Sequence, residues 1–82
     1  MVGNFVLFPN PVVDLATVSL PANDGAPIFV EIFTIDGRLV KRRKNIASGN
    51  EIQIDFEGSP PGIYFVKLLG EETNSTFKVI KR

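Results

Sequence analysis

Apolar residues recur at every second position through much of this chain. Between residues 51 and 56, Ile52, Ile54 and Phe56 alternate with Gln53 and Asp55. Side chains of an extended strand point alternately to its two faces, so the three apolar ones share a face and meet a core. The same period places Ala16, Val18 and Leu20 inward, against outward Thr17 and Ser19. It also sends Val30 and Ile32, then Tyr64, Val66 and Leu68, then Phe77 and Val79 to the core. No segment keeps a helical apolar period over ten residues without a breaker, so no α-helix is predicted. Gly and Pro punctuate the chain at even spacing, which points to an all-β sandwich or barrel. Seven strands are predicted, at Asn4–Phe8, Leu15–Leu20, Ile28–Ile35, Arg38–Lys44, Glu51–Phe56, Gly62–Leu69 and Asn74–Lys81.

Two strands depart from clean alternation. In the third, Phe29, Phe33 and Ile35 lie opposite Ile28, Val30 and Ile32. In the sixth, Ile63 and Phe65 lie opposite Tyr64 and Val66. Apolar residues on both faces mean a strand covered on both sides or an exposed contact patch. Phe29, Phe33, Ile63 and Phe65 are therefore candidates for one outer-face patch. Such a patch serves for docking, against a partner, a parent protein or a second copy, unless loops or the Arg38 and Lys67 stems cover it.

The turns carry four motifs. Phe8-Pro9-Asn10-Pro11 joins two fixed φ angles to an Asn suited to an Asx turn, which makes a rigid corner. Asp36-Gly37 is a strong hairpin signal and predicts a type I′ turn with φ > 0 at both central positions. Pro60-Pro61-Gly62-Ile63-Tyr64 is a stiff turn entering a strand, with Tyr64 placed for a tyrosine corner. Lys78-Val79-Ile80-Lys81-Arg82 ends the chain with alternating character. The one charge run, Lys41-Arg42-Arg43-Lys44, reads as a solvated strand whose charges discourage edge-to-edge pairing.

Composition narrows the function classes. The 82 residues make one domain, with residues 1–3 as linker ahead of it. Seven Phe among 44% hydrophobic residues suffice for a core. Nine basic residues balance nine acidic ones, so no global field favours nucleic acid. No apolar run is long enough to insert in a membrane as a helix. Cys and His are absent, which removes disulfides, zinc sites of the common kind and the usual nucleophile–base pairs. No metal or cofactor is expected. The loop Ala22-Asn23-Asp24-Gly25 offers too few oxygens for calcium. The chain does not read as an enzyme.

Taken in order and at this spacing, the four motifs resemble the C-terminal sorting domain of proteins exported by the type IX secretion system of Bacteroidetes. The family opens on an aromatic-Pro-Asn-Pro signature, matched here by Phe8 to Pro11. Its central hairpin segment corresponds to Val30–Val40, with Phe33 in place of Tyr and Thr34 in place of Asp. Its Gly-Ile/Val-Tyr segment corresponds to Gly62–Tyr64. The resemblance implies a seven-stranded antiparallel β-sandwich, Ig-like in broad architecture. It implies a parent protein upstream, recognition by the outer-membrane translocon, and cleavage by a sortase-like peptidase. Location follows: periplasm in transit, then the outer-membrane surface or the medium. By position, Pro9, Asn10, Pro11, Gly37, Arg38, Gly62, Tyr64, Lys78, Ile80 and Lys81 become candidate recognition residues, with Lys78, Lys81 and Arg82 expected to be exposed. The outer-face patch gains a translocon component as a further candidate partner, and self-association stays open. The alternative is an accessory Ig- or fibronectin-like module that binds glycan or spaces domains in a surface enzyme or adhesin. The absence of Trp and a single Tyr disfavour a glycan platform.

Overall fold

A computed structural model describes residues 5–19, 27–46, 51–70 and 73–82, and among them there are seven strands and no helix. The strands are β1 (Val6–Phe8), β2 (Leu15–Ser19), β3 (Pro27–Thr34), β4 (Leu39–Ile46), β5 (Glu51–Asp55), β6 (Gly62–Leu69) and β7 (Asn74–Lys81). The last two match the predicted bounds and the others differ at their ends. Asn4, Leu20 and the loop at 22–25 lie outside the described residues. All pairings between strands are antiparallel and form two sheets, β1–β2–β5 and β4–β3–β6–β7.

The alternating pattern builds the core from both sheets. Ala16, Val18, Ile52 and Ile54 come from the smaller sheet, and Val30, Ile32, Tyr64, Val66, Leu68 and Val79 from the larger. Phe56, just past β5, lies between them with no accessible surface. Each large apolar side chain so placed contributes about 1.5–3 kcal/mol. Phe77 is only half-buried, at the margin of this cluster. Val12 is fully buried, although it precedes β2 and belongs to no strand run. Its signal was faint: a Val-Val pair after two prolines, with no alternation around it.

The Asp36-Gly37 turn differs from the predicted type I′. Gly37 has φ +89°, and no described non-glycine residue has positive φ. The Gly37 N–H donates to the Thr34 carbonyl at 2.9 Å, and the Thr34 N–H donates to the Arg38 carbonyl at 2.9 Å. The loop therefore has three residues, Ile35 to Gly37, with the glycine taking the left-handed position that ends such loops. The Thr34 hydroxyl favours this longer loop, because it accepts from the Arg38 N–H at 3.2 Å and donates to the Asp36 carboxylate. A bulge follows. Ile32 pairs with Lys41 but Phe33 with Leu39, which leaves Val40 extra.

That bulge turns the charge run. Lys41 and Arg43 stand opposite the core residues Ile32 and Val30, on the inner side of an edge strand. The Lys41 ammonium spans the gap between the sheets and donates to the Asp55 carbonyl at 3.2 Å. Lys41, Arg43, Gln53 and Asp55 line a cleft of about 60 Å³ there, with Val30, Ile32 and Ile54 as its floor. Inward-pointing charges and bulges are both devices that protect a sheet edge.

Candidate functional site

The Phe8-Pro9-Asn10-Pro11 corner is where the two ends of the chain meet. β1 pairs with β2 in the smaller sheet as far as Phe8. The prolines cannot donate to a ladder and fix φ, so pairing with β2 stops there. The chain crosses to the other sheet and lies along the outer edge of β7. The Asn10 side-chain amide donates to the Lys78 carbonyl at 2.9 Å, and its Oδ1 accepts from the Ile80 N–H at 2.9 Å. A primary amide has a donor and an acceptor side by side, so it satisfies a strand edge as a backbone peptide does. Two residues on, the Val12 N–H donates to the Ile80 carbonyl at 2.7 Å, and its carbonyl accepts from Arg82 N–H at 2.8 Å. Val12 thereby makes a parallel bridge to Lys81.

Register places the other motifs beside this corner. Thr34, at the base of the hairpin loop, pairs with Tyr64, which pairs with Val79. Gly62 pairs with Lys81. Gly37 and Arg38, Gly62 and Tyr64, Ile80 and Lys81, and Pro9 to Pro11 therefore gather at one end of the four-stranded sheet. Lys78 sits one step further along, opposite Phe65.

These residues do not all present themselves to solvent. Tyr64 is buried, its ring 6.0 Å from that of Phe56 and tilted by 57°. Its hydroxyl donates to the Pro60 carbonyl at 2.6 Å, the local backbone bond expected of a corner tyrosine. Lys81 corrects an expectation: it is 9% exposed rather than on the surface. Period two, counted from buried Val79, sends it inward. The ammonium stays satisfied by donating to the Arg82 carbonyl at 2.7 Å. Lys78, Ile80 and Arg82, on the alternate positions, are exposed.

The outer face divides. Phe29, Phe33, Ile63 and Phe65 all lie on it, as period two requires, and all are half-buried. Phe33 pairs directly with Phe65, confirming that β3 and β6 are neighbours. Phe29 is set apart by the Glu31–Lys67 row. The Arg42 guanidinium covers its ring at 4.9 Å from the centroid and also reaches Glu31, Nε to Oε2 3.3 Å. The expected four-residue patch is thus two groups. The larger runs Leu39–Phe33–Phe65 and continues through the Ile63–Ile80 pair to the gathered end. Leu39 was missed from sequence because the bulge at Val40 shifts the facing of β4, and nothing in the run Leu39-Val40-Lys41 marks that shift.

Asp36 is fully exposed at the hairpin tip. The Thr34 hydroxyl bond, its own backbone N–H and the Arg38 charge hold its carboxyl below the ordinary value of 3.8. Among the described residues no three His, Cys, Asp or Glu side chains are grouped to hold a metal ion.

Two antiparallel sheets thus bring the scattered motifs together at one end of the larger sheet. The family model of the secretion system C-terminal sorting domain matches residues 6–82, and the chain belongs to that family. It is a sorting signal for type IX secretion, which implies a parent protein and export to the cell surface or beyond. The family is a signal domain and is not known as catalytic. No curated protein matches the chain.

Proposed function

We propose that the type IX machinery reads the gathered end of the four-stranded sheet: the Phe8–Pro11 corner, the hairpin tip at Gly37 and Arg38, and the apolar row ending at Ile80. One observation carries this. Four motifs spread over the whole sequence meet at one end, through the register Thr34–Tyr64–Val79 and the bridge from Val12 to Lys81. Within it, buried Tyr64 and Lys81 shape the surface from below, while Asn10, Arg38, Gly62, Lys78 and Ile80 face the reader. The Ig-like description is supported by the strand orders and by the way the first segment serves both sheets. On this reading the cargo passes through the periplasm and a sortase-like peptidase cuts ahead of Phe8. The domain is substrate rather than catalyst, in keeping with a chain that has neither His nor Cys.

The test fuses the chain to a signal-peptide-bearing reporter in a bacterium with a working type IX system. Deleting residues 78–82 should leave the reporter in the periplasm, but it also removes core Val79. The decisive variant is therefore Lys78→Ser with Ile80→Ser, both on the exposed face. It should melt as the parent does and yet strand the reporter in the periplasm. Normal surface display of that double variant would exclude this end as the signal.

A further inference from the structure

We infer that the open half of the β7 edge accepts an extended segment of a partner protein in which apolar and acidic residues alternate. The backbone decides which groups are offered. Asn10 and Val12 engage the Lys78 carbonyl, both backbone groups of Ile80 and the Arg82 N–H, all on even-numbered residues. In an antiparallel pair, residues alternate between facing the neighbour and facing away. β7 keeps one register against β6 from Asn74 to Lys81. The N–H and carbonyl groups of Asn74 and Thr76, and the Lys78 N–H, therefore point outward as well. Among the described residues no strand pairs with them.

This half edge has no guard. Shortness and two prolines protect β1, and a bulge and four cations protect β4. Asn74-Ser75-Thr76-Phe77 has no charge, no proline and no bulge. Behind it Phe77, on the inner face of β7, is only partly buried where it packs against the core. A strand added beside β7 would place alternate side chains next to Phe77, which favours apolar ones. Its other side chains would continue the outer face beside exposed Lys78, with Lys67 one strand further in, which favours acidic ones. Backbone bonds would supply affinity and the two side-chain rows selectivity, as in strand addition generally. This surface shares only Lys78 with the gathered end, and its test reads peptide binding rather than export, so the two readings can fail separately.

The experiment titrates the ¹⁵N-labelled 82-residue chain with a synthetic peptide of alternating Val and Glu, and with its Lys counterpart. The Glu peptide should shift the Thr76 and Lys78 amides and slow their exchange. The Lys peptide should bind about tenfold more weakly, the scale of one charge-assisted contact. Thr76→Pro deletes one outward N–H without touching the β6 ladder, and should abolish binding while keeping a folded spectrum. The inference fails if millimolar Glu peptide leaves those amides unmoved, if both peptides bind alike, or if Thr76→Pro binds as well as the parent. It also fails if the amides are protected without peptide in proportion to protein concentration, since the occupant is then a second copy.

Discussion

The two edges of the four-stranded sheet are held in opposite ways. β4 is tied to its neighbour by a three-residue loop, and every bond that closes it joins residues at most four positions apart. β7 is bounded by a side chain 68 and 70 positions away. One edge is secured locally and guarded by its own cations. The other is secured only when both ends of the chain are in place, and only over half its length. Closing a long loop costs more chain entropy than closing a short one, so the β7 clip is expected to form after the hairpin. The two signature segments at the chain ends are therefore one physical object. Loss of the last residues deprives Asn10 and Val12 of their partners, and loss of the corner opens the end of β7.

The strongest way to break the contrast is to remove what both edges share. Phe56 has no exposed surface, packs its ring at a tilt against that of Tyr64, and donates its N–H to the Asp14 carbonyl at 2.6 Å. Phe56→Ala should cost about 3–5 kcal/mol. A domain of this length holds about 4–12 kcal/mol in all, so much of the population unfolds. Thermal melting monitored by circular dichroism should show the loss, and amides at both edges should lose protection together. An unchanged melt would refute the packing described for the β5 end.

A milder variant separates the edges. Asn10→Ala removes two hydrogen bonds to β7 but leaves both backbone groups where water reaches them. The expected cost is about 1–3 kcal/mol, from a net value of about 0.5–1.5 kcal/mol for each of the two bonds. Hydrogen exchange should accelerate at the Ile80 amide while Gly37 and Arg38 keep their rates. Equal acceleration at the hairpin would mean that the corner steadies the whole sheet rather than one edge.

What the sequence disclosed follows the same division. Strands β5, β6 and β7 were legible because Ile52-Ile54-Phe56, Tyr64-Val66-Leu68 and Phe77-Val79 each keep an inward period of two, even though Ile63 and Phe65 add apolar residues to the outer face of β6. The Tyr64 bond to Pro60 was legible because it spans four residues. The Asn10 clip was not, since an Asn between two prolines reads locally as an Asx turn, and its real partners are set by tertiary register. Lys81 was misplaced by reading charge as exposure, although the period that buries Val79 also turns Lys81 inward. The hairpin loop was misread by one residue because the Thr34 hydroxyl, rather than the Asp36-Gly37 pair alone, selects its length.

The smallest expected effect sharpens the contrast through pH. The Asp36 carboxyl titrates below 3.8 in the folded chain, chiefly because the Thr34 hydroxyl donates to its ionised form. A folded value lowered below the unfolded one favours the folded state wherever the carboxylate is ionised. That contribution is complete above 3.8 and is lost as pH falls through the lower folded value. Because Asp36 is fully exposed, the change should be slight and confined to the tip. Amide shifts of Gly37 and Arg38 should follow a single titration below the usual Asp range, and Asp36→Asn should abolish it. The Ile80 amide should not follow this curve, because the Asn10 amide that binds it carries no titratable proton. If Ile80 and Gly37 titrate together, the two edges communicate across the sheet, and the local hairpin is not independent of the long-range clip.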